Sequence, residues 1–136
     1  MMDKIRIRVA VLWITVILGF TLHSLADMMP MFWGADIAMD SSGTAPAGML
    51  LFMMAVSYLI PVIALLCVMY ARKRGWLMVN FILAMLIMLF NIFHSSELFM
   101  DFHLSQLAVL PVMDVLGVLL AVESNRLRKE GLQEEK

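Results

Sequence analysis

Three histidines, His23, His94 and His103, hold the greatest chemical potential in this chain. Each has a carboxylate close by: Asp27 follows His23 by four residues, Glu97 follows His94 by three, and Asp101 precedes His103 by two. Imidazole with carboxylate is a ligand set for zinc, iron, nickel or oxidised copper. Helix bundles build such sites from side chains on facing helices. Haem would need two axial imidazoles opposed across the bundle, and the chain has no haem-attachment motif. Its single cysteine, Cys67, also excludes an internal disulfide. None of the spacings completes a closed signature such as His-Glu-x-x-His or Cys-x-x-Cys. These six residues are therefore metal or ligand candidates, and the simpler reading is a network of imidazoles and carboxylates bonded to each other and to water. We expect at least two of the imidazoles to approach each other, with Asp27 or Glu97 in hydrogen-bond reach as an orienting partner.

Two further residue types deserve weighing. The chain has 15 methionines, with a dense run at Met28, Met29 and Met31. Thioethers favour reduced copper, but methionine is also flexible apolar filler. Asp114 lies deep within an apolar stretch, where a charge costs at least about 2.5 kcal/mol. It reads as a neutral carboxyl clamping helices through a facing Asn or Thr, with a proton relay as the alternative. The other polar residues inside apolar stretches, Asn80, Asn91, Ser57 and Tyr58, suit interhelical hydrogen bonding. No nucleophile–base pair or complete catalytic motif is present, so an enzyme is not indicated.

These residues must be positioned by membrane helices. Of 136 residues, 62% are hydrophobic and 15% charged, and mean hydropathy is +0.90. Soluble domains run about 45–50% apolar and about 25% charged. Composition thus excludes a soluble enzyme, a disordered chain and a nucleic-acid binder. About 20 apolar residues cross a bilayer as a helix, and four such stretches fit: about 9–27, 46–70, 76–99 and 104–123, followed by a charged tail at 125–136. Barrel strands need only about 9–11 alternating residues. The expected fold is all-α, a single four-helix antiparallel transmembrane bundle.

Orientation follows from charge. All ten Lys and Arg lie before the first span, between the second and third, or after the fourth. The positive-inside rule makes that side cytoplasmic, so both termini are expected inside. The outer side carries Asp27, Asp36, Asp40, Glu97 and Asp101, and no Lys or Arg. All three histidines then fall at outer span ends, on a face whose field favours a cation. Ser24-Leu25-Ala26 before Asp27 imitates a signal-peptide cleavage site, but we expect the first span to be retained. Each span also offers a small or polar seam: Thr15, Gly19, His23 and Asp27; Ser57, Pro61 and Ala64; Asn80, Asn91 and His94; and His103, Gln106, Leu110, Asp114, Gly117 and Ala121. Such seams let membrane helices approach closely.

Leu12-Trp13, Ile60-Pro61 and Gly75-Trp76 followed by Asn80 resemble an uncharacterised bacterial family of small four-span integral membrane proteins. The resemblance covers the first three spans and implies a four-span fold in a bacterial inner membrane. It implies no activity, and the three histidines are not part of its pattern. The function expected from the residues is a binding or accessory protein holding a metal cation or small polar ligand at its outer mouth. The alternatives are a proton-coupled transporter or channel protomer using Asp114, and a membrane metalloenzyme or haem redox protein. Expected partners are the lipid bilayer and a homo-oligomer or another membrane protein.

Overall fold

The computed structural model describes residues 2–37, 43–70, 73–100 and 104–133. Among these every regular element is helical, with no strand. In order it forms α1 (Met2–Met28), a 3-10 turn (Met29–Trp33), α2 (Ala47–Met54), a π-helical turn (Ala55–Leu59), α3 (Ile60–Tyr70), α4 (Arg74–His94), the short α5 (Glu97–Met100) and α6 (Leu104–Gln133). Four stretches, Asp3–Trp33, Ala47–Tyr70, Arg74–His94 and Gln106–Leu132, are long and apolar enough to cross a membrane. Helices of this kind satisfy every backbone group internally, as a bilayer demands. The chain is thus an all-α protein with the architecture of an integral membrane protein.

The helices close into a ring. α1 packs on α3 and α6, and α4 packs on the same two neighbours. Sequential neighbours run antiparallel. Arg6 near the start of α1 reaches Val68 near the end of α3, and Gly131 late in α6 abuts Leu77 early in α4. α1 and α4 therefore run in the same direction across the diagonal.

The core is a set of three-and-four stripes, the spacing of left-handed helix packing. On α1 the buried stripe is Val9, Trp13, Val16 and Phe20; on α4 it is Leu77, Asn80, Ala84, Ile87 and Asn91; on α6 it is Leu110, Met113, Leu120, Ser124 and Leu127. The opposite faces, including Ile7, Val11, Ile14, Leu18 and Leu22 on α1, are exposed and equally apolar. An apolar outer surface suits lipid rather than water. Gly117 sets the α4–α6 approach: a Cβ there would lie 3.2 Å from the Met88 backbone Cα.

The helix boundaries differ from the hydropathy reading in physically explicable ways. The second span is two helices joined through a π turn, in which the Ile60 N–H bonds the Ala55 carbonyl. Pro61 follows directly; a proline lacks an N–H and clashes with the carbonyl four residues back, here that of Ser57, and the wider turn relieves this. The third span ends at His94, not near residue 99, because Ser95 and Ser96 close a turn. There the Ser95 N–H donates to the Asn91 carbonyl at 2.8 Å, and the Ser96 hydroxyl donates to the Phe93 carbonyl at 2.6 Å. Such hydroxyl–backbone bonds compete with helix continuation. α6 runs on unbroken through the charged stretch to Gln133, with Arg128 stacked over the Phe81 ring at 4.9 Å.

Candidate functional site

At the end of the bundle opposite the described Lys and Arg residues, three helices converge on two imidazoles. His23 continues the core stripe of α1 three residues beyond Phe20, and His94 closes the core stripe of α4 three residues beyond Asn91. Because α1 and α4 run parallel, their stripes end at the same level. The His23 and His94 rings meet edge to face at 87°, with centroids 4.7 Å apart. Phe90, one turn before His94, stacks on it at 5.6 Å and 16°, and Phe20 and Phe52 pack against Phe90.

The hydrogen bonds fix the roles of the ring nitrogens. The Gln106 side-chain N–H donates to Asp27 Oδ1, so its Oε1 is the acceptor that meets His23 Nδ1 at 2.7 Å. His23 Nδ1 therefore carries the hydrogen. In the neutral ring its Nε2 is then an acceptor, and His94 Nε2–H donates to it at 2.8 Å. All three donors point the same way, from His94 through His23 and Gln106 to the Asp27 carboxylate. Aligned hydrogen bonds polarise one another. Asp27 Oδ2 also lies 3.5 Å from His23 Nε2. The His23 side chain is 14% exposed while that of Asp27 is 52% exposed, so the network is buried at the imidazoles and open to solvent at the carboxylate.

The structure thus brings His23, His94 and Asp27 together and adds Gln106. Asp101 and His103 lie outside the described residues. Glu97 begins a separate short helix rather than extending α4, and its side chain is outside the description. Gln106 was signalled only by its place on the three-and-four seam of span four. On α1 the seam inferred from Thr15, Gly19, His23 and Asp27 holds from Gly19 onward: Gly19 is buried against Met113 of α6, and His23 and Asp27 join the network. Thr15 departs from it, its hydroxyl donating to the Val11 carbonyl of its own helix, and Val9, Trp13, Val16 and Phe20 fill the core beside the seam.

Deeper polar residues brace the bundle. Trp13 Nε1–H donates to Asn80 Oδ1 at 2.8 Å, both fully buried. Trp13 belongs to no seam of small and polar residues, and only its tertiary pairing reveals its role. Asn91 Nδ2–H donates to the Met113 carbonyl at 3.1 Å. Asn91 therefore does not clamp the neighbouring Asp114 carboxyl, contrary to the expectation of a facing Asn or Thr. Asp114 is half-buried, and its buried Oδ1 has no hydrogen-bond partner among the described residues. The Ser57 hydroxyl donates to the Met53 carbonyl at 2.6 Å. Tyr58 is exposed on the apolar surface.

The imidazole pair does not make a ready metal centre. Among the described residues no three His, Cys, Asp or Glu side chains are grouped to hold a metal ion. Two imidazoles on one tetrahedral zinc, at about 2.0–2.1 Å each, stand roughly 3.3 Å apart; here the nitrogens are 2.8 Å apart and joined through a hydrogen. Bis-imidazole haem needs iron between them at roughly 4 Å separation, which this contact leaves no room for. What the arrangement offers is a carboxylate oriented by the Gln106 amide, which His23 in turn holds, half open to solvent, at an end of the bundle without described Lys or Arg. Comparison with protein-family models, curated protein sequences and solved structures gives no match for this chain.

Proposed function

We propose that this is a small membrane binding or accessory protein that holds a small cation at the outer mouth of its bundle, against the Asp27 carboxylate of the His/carboxylate cluster. The observation that supports it is the Asp27 carboxylate itself. It is 52% exposed, yet held by the Gln106 amide, so it meets a cation without first losing side-chain freedom. Both termini are cytoplasmic in this reading, and a bacterial inner membrane is its setting. Charge supports the orientation: the described Lys and Arg cluster at the starts of α1 and α4 and late in α6, away from Asp27.

The test is thermal unfolding of full-length protein, stripped with chelator and free of any histidine-rich tag, with zinc, manganese or methylammonium added. At least one cation should raise the Tm of the wild type and leave Asp27→Asn unchanged; at a hundred times Kd the gain is about 2.7 kcal/mol. An unchanged wild-type Tm with all three would overturn the proposal.

A transporter reading has one observation in its favour, the unpartnered buried Oδ1 of Asp114. It requires an oligomer, because the core of the single bundle between Asn91 and Asn80 is closed by Val16, Ala84, Ile87 and Leu120.

A further inference from the structure

The opposite end of the molecule carries a different feature, independent of the imidazole cluster. A cleft of about 580 Å³ opens between the beginning of α1 and the later turns of α6, lined by Lys4, Ile5, Arg8, Arg126 and Glu130. Three cations and one carboxylate leave it with a formal surplus of positive charge. Among the described residues Lys4 and Arg8 make no hydrogen bond or ion pair. Arg126 gives Nη1 to Glu123 at 2.7 Å, yet its side chain stays 60% exposed. We propose that this cleft binds the phosphate group of an anionic phospholipid.

Lys4 and Arg8 are one turn apart on α1, a rise of roughly 6 Å, so one phosphate can accept from both side chains, with the Arg126 guanidinium supplying planar donors from α6. The location selects a lipid as the source. Lys4 and Arg8 lie just before the uncharged run of α1, which begins at Val9, and Trp76, exposed at the start of α4, marks the same end of the bundle. Tryptophan concentrates at headgroup depth, where lipid phosphate is the abundant anion. Ile5, 8% exposed, gives the cleft an apolar wall, and the exposed Ile7 and Val11 farther along α1 continue as a surface for the acyl chains. Basic pockets between membrane helices take anionic headgroups in this manner.

The experiment is native mass spectrometry of the full chain in detergent, titrated with phosphatidylglycerol, phosphatidylcholine, glycerol 3-phosphate or inorganic phosphate. Phosphatidylglycerol should be retained in preference to phosphatidylcholine. Lys4→Gln and Arg8→Gln should each weaken its binding about fivefold, and the double variant more than tenfold. Arg74→Gln and Lys129→Gln, at the same end but outside the cleft, should bind within about twofold of wild type. Equal retention of the two lipids, or equal losses from the cleft and the control variants, would overturn the proposal. Displacement by inorganic phosphate at the lipid's own concentration would overturn the lipid assignment. Should Arg8→Gln fail to fold, Arg8→Lys with retained binding and Lys4→Gln with weakened binding carry the same test.

Discussion

The contact between His23 and His94 can be weighed by a double-mutant cycle. His23→Ala removes two interhelical hydrogen bonds, to His94 at 2.8 Å and to Gln106 at 2.7 Å. Interhelical hydrogen bonds within membranes average about 0.6 kcal/mol and reach about 1.7. The loss is therefore about 1–3 kcal/mol, and the 14% exposure of His23 limits any cavity cost because water can enter. His94→Ala removes one of those bonds and the stacking on Phe90, the latter worth roughly 0.5–1.5 kcal/mol. Only the shared bond and ring contact should appear as coupling, so the cycle should close with about 0.6–1.7 kcal/mol. The assay is reversible unfolding of the purified protein in mixed micelles, with and without chelator. A hydrogen-bonded pair gives the same coupling under both conditions, whereas a metal bridge gives a larger coupling that chelator abolishes. Coupling within about 0.3 kcal/mol of zero, the error of simple additivity, would refute the contact and the donor order built on it.

Four other outcomes are expected. In whole cells an impermeant thiol reagent should label Ser42→Cys but not Lys73→Cys or Gly131→Cys, and labelling of Lys73→Cys from outside would reverse the orientation. Asp114→Asn should leave thermal stability within about 1 kcal/mol, because the amide matches the carboxyl in size and the buried oxygen has no partner to lose; a pH-dependent activity lost in this folded variant would instead favour the transporter reading. Gly117→Ala should cost about 1–3 kcal/mol, since its Cβ meets Met88 Cα at 3.2 Å and crowds Asn91 Nδ2 at 3.4 Å. Gly48→Ala, with nothing within 4 Å, should be neutral or slightly stabilising.

The positions of the spans were legible because hydropathy measures what a bilayer selects, and four long apolar stretches leave few alternatives. The α4 stripe was legible too, since Asn80, Asn91 and His94 stand eleven and three residues apart and a helix returns to the same face at that spacing. The end of α4 was not, because Leu98 and Phe99 keep the hydropathy high while the Ser95–Ser96 turn is set by local hydrogen bonds. The π turn also escaped notice: Pro61 announces a disturbed helix but not whether the backbone kinks or widens. Trp13 and Asn80 are 67 residues apart, and nothing local connects them. Their pairing depends on α1 and α4 running parallel across the diagonal, a consequence of the ring order. The same ring order brings His23 to His94, and it explains why Asp27 is reached through Gln106 of α6, the helix that packs beside α1.

The core also bears on whether the bundle conducts or only binds. Below the imidazoles, Asn91 bonds the Met113 carbonyl and Asp114 carries a buried unpartnered oxygen. Farther along come Trp13 and Asn80, with the buried Ser124 on α6. These polar levels stand eleven positions apart on α4, roughly 16 Å at helical rise, and between them Val16, Ala84, Ile87 and Leu120 pack together at 0–1% exposure. An apolar interior of that kind holds no water, and a proton or ion crossing it would have no partner. The two ends of the molecule are therefore chemically separate. One presents an oriented carboxylate to cations, and the other presents unpaired Lys4 and Arg8 to anions. In the proposed readings, a single chain with this core acts at each membrane face independently. Any passage between the faces would have to be built between chains, with the half-buried Asp114 as the acid available to line it.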